Sequence, residues 1–66
     1  MTLEDDLRDE LDRVRLVRED YLAMPMQAGN LGAAILTGYL AQGRRALDGG
    51  DEAAMQAALE DLRGCA

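Results

Sequence analysis

The side chains in this sequence that carry chemistry are carboxylates, arginines, two phenols and one thiol. Thirteen Asp and Glu side chains stand against seven Arg, with no histidine and a single cysteine, Cys65. A carboxylate works as a general acid or base only in a concave, partly dry site that shifts its pKa. Here the carboxylates fall on helix faces, mostly paired with Arg, and that pattern reads as solvated surface. A carboxylate-bridged di-metal centre adds histidines in Glu-x-x-His motifs, and none occur. Asp48-Gly49-Gly50-Asp51-Glu52 does not follow the spacing of a calcium loop. Without histidine, one cysteine cannot build a zinc site. Cys65 also lacks an imidazole base to activate it, and it reads as an incidental, loosely packed thiol, with an intermolecular disulfide as the alternative. Gly29-Asn30-Leu31-Gly32 is a glycine-rich helix start of the kind that can receive an anion. No strand precedes it and no Gly-Lys-Ser/Thr follows, so it is not a phosphate-binding loop. No catalytic, cofactor-binding or metal-ligating residue is expected, and no small-molecule substrate. The chain reads as a non-enzyme.

The elements that position these residues follow from the breakers. Pro25 to Asn30 and Asp48 to Asp51 divide 66 residues into three helical segments, predicted at about 3–23, 31–47 and 52–63. The expected fold is a single all-α domain over 1–66. It is a small antiparallel three-helix module in which a long first helix carries a hairpin of helices two and three.

Thr2 is a good N-cap, with Asp5 in capping-box spacing and Glu4, Asp5 and Asp6 at the positive end of the helix dipole. Pro25 disfavours helical geometry at Met24 and ends the first helix. Leu3, Leu7, Leu11, Val14, Val17, Tyr21, Leu22 and Met24 fall within about 160° of arc and form a core-facing stripe. Glu4–Arg8, Asp9–Arg13 and Arg15–Glu19 have the spacing of i,i+4 ion pairs. Glu10 intrudes on the stripe, and Leu16 points to the charged face.

Asn30 is the expected cap of the second helix, Gly49 its stop, and Asp51 the cap of the third. The apolar arc of helix two, with Leu31, Ala33, Ile35, Leu36, Tyr39, Leu40, Ala46 and Leu47, spans roughly 200° and implies burial on two sides. Gly32, Gly38 and Gly43 lie within this helix and read as packing positions. In helix three Ala54, Met55, Ala58, Leu59 and Leu62 form a narrower stripe. Gly64 ends it, leaving Cys65 and Ala66 as a short tail.

Small chains whose cores are poor in aromatics gain stability from disulfides, metals or oligomerisation. With the first two excluded, a protein partner or a homo-oligomer is implied. The formal charge of −6 disfavours direct contact with nucleic acid or an anionic membrane. No apolar run reaches the ~20 residues of a membrane span, and the charged start is unlike a secretory signal. The lone cysteine suits a reducing cytoplasm. The expected contact residues are Leu16, on the outer face of helix one, and Tyr21, Met24, Met26 and Tyr39. Met is adaptable at binding surfaces, and Tyr joins an apolar ring to a polar tip. The alternative for Met24 and Met26 is a Met-Pro-Met corner that caps the core.

The segments Tyr21-Leu22-Ala23-Met24-Pro25, Gly32-Ala33-Ala34-Ile35-Leu36 and Ala46-Leu47-Asp48-Gly49-Gly50-Asp51, with Ala54-Met55 leading to Leu62, carry a resemblance. Over about residues 21 to 65 the chain resembles small helical proteins encoded by bacteriophages and prophages. The resemblance implies a virion component or an accessory factor, found in the host cytoplasm or the virion, and it transfers no functional residue. The expected function is protein–protein association, by self-assembly or docking on a larger assembly. The alternative is an acidic mimic of DNA that inhibits a nucleic-acid-binding host defence enzyme. It would present Asp5, Asp6, Asp9, Asp12, Glu19 and Asp20, although Arg8, Arg13, Arg15 and Arg18 interrupt that acidic face.

Overall fold

In the computed structural model, which describes residues 2–65, three α-helices follow the predicted order. They are α1 (Leu3–Leu22), α2 (Asn30–Gly49) and α3 (Glu52–Arg63), with a short 3-10 turn at Pro25–Gln27 between the first two. The Thr2 hydroxyl accepts a hydrogen bond from the Asp5 amide at 3.1 Å, and the Asp51 carboxylate accepts one from the Ala53 amide at 3.0 Å. Each satisfies a backbone donor that the start of a helix leaves without a partner. Ala66, expected in the tail, lies outside the described residues.

Three boundaries differ from expectation, each for a local reason. α1 ends at Leu22, one residue early, as Met24 takes the extended geometry that precedes a proline. α2 starts at Asn30 instead of being capped by it; Gly29 occupies the cap position and accepts the Ala33 amide at 2.9 Å. Only glycine fits there, since a Cβ would overlap the Tyr21 carbonyl oxygen. At the other end α2 runs on through Gly49. The stop is Gly50, left-handed at φ 68°, whose amide donates to the Ala46 carbonyl. α2 is thus as long as α1, at 20 residues, whereas α3 has 12.

Contacts between side chains fix the topology. Leu11 packs on Gly43, Arg18 reaches Thr37, and Tyr21 lies on Gly32, so α2 descends along α1. Leu62 also packs on Gly43, and Gln42 bonds Asp61, which places the last turn of α3 beside the middle of α2. α1 and α3 are therefore parallel neighbours in an up-down-up bundle.

The core is built around α3. Met55, Ala58, Leu59 and Leu62 close on Leu7 and Val14 of α1 and on Leu36 and Ala46 of α2. Leu3, Leu11, Val17, Tyr21, Leu40 and Leu47 pack at its margins. The sequence stripes overreach at three places: Leu22 and Met24 on α1, Leu31, Ile35 and Tyr39 on α2, and Ala54 on α3 are all exposed. The bundle measures 40 × 19 × 17 Å, and its radius of gyration, 12.3 Å, exceeds the roughly 11 Å of a compact chain of this length. The excess is the length of α1 and α2 that α3 does not reach.

Candidate interaction surface

Past the end of α3, α2 carries Leu31, Ile35 and Tyr39 at i, i+4 and i+8 spacing, which aligns them on one flank. Leu31 is 76% exposed, Ile35 53% and Tyr39 37%. A shallow groove of about 370 Å³ runs between Ile35, Gly38, Tyr39 and Gln42. Its floor is Gly38, where a Cβ would meet nothing within 4 Å. The Pro25 turn carries further exposed apolar residues. Met26 is 98% exposed, with Met24 and Leu22 partly so. The Met-Pro-Met corner therefore does not cap the core. Met26 and Gln27 have φ near +60°, a left-handed geometry that sends Met26 outward.

The five residues expected at an interface do not form one cluster. Met24 and Met26 share the Pro25 turn, and Tyr39 belongs to the α2 flank. Tyr21 is half-buried, its ring 3.5 Å from the position of a Gly32 Cβ, so it supports the α1–α2 packing. Leu16 is 55% exposed on the outer face of α1, opposite Val14 in helical projection. Leu31 and Ile35 were read only as part of a broad arc, yet they are the most exposed apolar residues of α2. The sequence holds a signal for them: no charged residue occurs from Tyr21 to Gly43. Because α1 and α2 are antiparallel, that run makes up the Pro25 turn and the α2 side of the turn end, beside Arg18, Glu19 and Asp20 of α1.

The charged groups lie at the other end and on α1. Arg8 pairs with Asp5 at 3.8 Å instead of with Glu4, and Arg13 pairs with Glu10 at 2.8 Å instead of with Asp9. Arg15–Glu19 forms as expected, at 3.7 Å. Arg13 is diverted because its guanidinium also donates to the Leu62 and Cys65 carbonyls, at 2.8 and 3.2 Å. A cation on the last carbonyls of a helix offsets the negative end of its dipole. Glu10, the apparent intruder in the α1 stripe, holds that arginine in place. Cys65 is half-buried against the core, and its thiol lies 3.6 Å from the Asp61 carbonyl oxygen. It is not the loose terminal thiol expected. Burial pushes its pKa up, partly opposed by the Arg13 charge.

Among the described residues no group of three or more His, Cys, Asp or Glu side chains is placed to hold a metal ion, and no helix is long and apolar enough to cross a membrane. A second groove, of about 160 Å³, is lined by Leu11, Asp12, Arg15, Leu40 and Arg44. The chain matches no protein-family model, no curated protein and no solved structure.

Proposed function

We propose that this chain is a non-enzymatic association module that works through the uncharged α2 flank at the turn end of its bundle. The observation that carries this reading is the exposed apolar row of Leu31, Ile35 and Tyr39 on one flank of α2, with Met24 and Met26 exposed in the Pro25 turn, in a chain otherwise rich in exposed charge. Contiguous exposed apolar surface marks contact sites, whereas single exposed apolar residues do not. The resemblance to small phage-encoded helical proteins supports a role in a virion or as an accessory factor in the host cytoplasm. The alternative, a carboxylate mimic of DNA, has less support. Arg8 and Arg15 sit in ion pairs on the same helix as the acidic residues and break up its field.

Site-specific photocrosslinking tests the reading. A crosslinker at Met26 or Tyr39 is expected to give a defined product in cells that make the protein, and the product should vanish with Ile35→Asp. A crosslinker at Glu52, exposed at the start of α3 and away from the turn end, serves as control. Equal yields from all three positions, or none from any, would refute the assignment of the surface. Leu16→Asp should leave the product unchanged; its loss would move the contact onto α1.

A further inference from the structure

We infer that the bare length of α2 is the contact between two copies of this chain, paired antiparallel about the Leu36–Thr37 step. This rests on the association reading above and names its partner.

Three observations lead to a second copy. The first is continuity with the existing core. The flank of α2 that holds Leu31, Ile35 and Tyr39 is the one that α3 covers at Ala46 and borders at Gln42. α3 stops there, because it has 12 residues against 20 in α2. The slot of a third helix continues, unfilled, from Gln42 to Asn30.

The second is self-complementarity. A two-fold contact requires that when one residue meets another, the second meets the first. Leu31, Ile35, Gly38 and Gln42 are spaced 4, 3 and 4 apart, the seam spacing of paired helices. Antiparallel pairing about the Leu36–Thr37 step sets each Ile35 over the partner's Gly38, a projection into the open dent where no side chain stands. It sets each Leu31 against the partner's Gln42, and each Tyr39 against the partner's Ala34. The part of that flank past α3, Asn30 to Gln42, is centred within one residue of the same step. A partner helix in this register occupies the vacant length and ends at the last turn of α3.

The third is charge. Two chains of −6 repel, and the run from Tyr21 to Gly43 is where a contact confronts no like charges along the paired segments.

Sedimentation equilibrium of the full chain, from micromolar to several hundred micromolar, reads the proposal directly. The expected mass is twice 7.2 kDa, reached reversibly as concentration rises. Gly38→Leu fills the dent and should weaken dimerisation by roughly thirty-fold or more, the scale of an interface hot spot. A Cβ at this position meets no atom within 4 Å in the monomer and the change improves helix propensity, so helical content by circular dichroism should hold or rise. Register is read by mixing Ile35→Cys chains with Gly38→Cys chains, both carrying Cys65→Ala. The mixed disulfide should form faster than either symmetric one.

A wild-type monomer at the highest concentration overturns the inference. So does a Gly38→Leu chain that dimerises as well as wild type, or a mixed disulfide no faster than the symmetric ones. A monomer that still gives the Ile35-dependent photocrosslink to another protein would sink the second copy and keep the association reading. A dimer in the expected register that engages nothing further keeps this inference, and confines the association reading to self-assembly.

Discussion

The two ends of the bundle are built from the same kinds of residues and differ in what covers them. At the α3 end three helices meet, and Leu7, Leu62 and Val14 are fully buried. At the turn end only α1 and α2 meet, and residues of the same chemistry, Leu31 and Ile35, stand in water. The third helix, not the apolar content, decides which Leu is core and which is surface. Stability therefore concentrates at one end and exposed apolar surface at the other.

The largest expected break in this contrast comes from paired truncations. Leu62→Ala removes a fully buried side chain and should cost about 2–5 kcal/mol in urea unfolding, a large share of the stability of a domain this small. Ile35→Ala, measured in dilute protein, should cost under about 1 kcal/mol. Similar costs at the two positions would mean that the turn end is as well packed as the other.

Glycines sharpen the same contrast. Gly29→Ala drives a methyl into the Tyr21 carbonyl and should destabilise by about 1–3 kcal/mol. Gly38→Ala meets open space in a helix interior and should stabilise the monomer by about 0.5–1 kcal/mol. Opposite signs in thermal melts of dilute protein are the expected result.

A smaller effect is expected from Arg13→Met, which keeps an apolar stem and removes the bonds to the Leu62 and Cys65 carbonyls. A loss of about 1–2 kcal/mol is expected, with faster amide exchange in the last turn of α3 and no change at the Pro25 turn.

The smallest concerns Cys65. Its pKa is raised in the fold by burial, so the folded state holds the thiol proton more tightly than the unfolded chain does. The resulting stability is complete below the unfolded pKa and is lost as pH rises through the folded one. Near pH 8 the native thiol should react with iodoacetamide more slowly than the same thiol in urea. Equal rates would show that the α3 end is open there.

The helices were legible because caps and breakers act locally. Thr2, Pro25 and Asp51 each determine the geometry of their own or neighbouring residues, whatever the rest of the chain does. The boundaries that shifted depend on the fold: Gly29 is held by the backbone of Tyr21, and Gly50 instead of its neighbour takes the left-handed stop. Periodicity gave the arc of α2 but not its coverage, since an arc describes one helix and burial needs the length of its neighbour. A 12-residue α3 was itself readable, and it cannot mask a helix of 20. The pairing of Arg13 was not readable. Asp9 and Glu10 are both within reach of it, and the α3 carbonyls that decide between them are brought near only by folding.

The Pro25 turn bears on what binding would cost in order. A flexible loop that presented a methionine would lose backbone freedom on contact, at about 1–2 kcal/mol for each residue fixed. Here Pro25 sets its own φ, Met26 and Gln27 already hold left-handed geometry, and Gly29 is wedged against Tyr21. The backbone beneath Met26 has lost that freedom before any partner arrives, leaving mainly the methionine side chain to be ordered on contact.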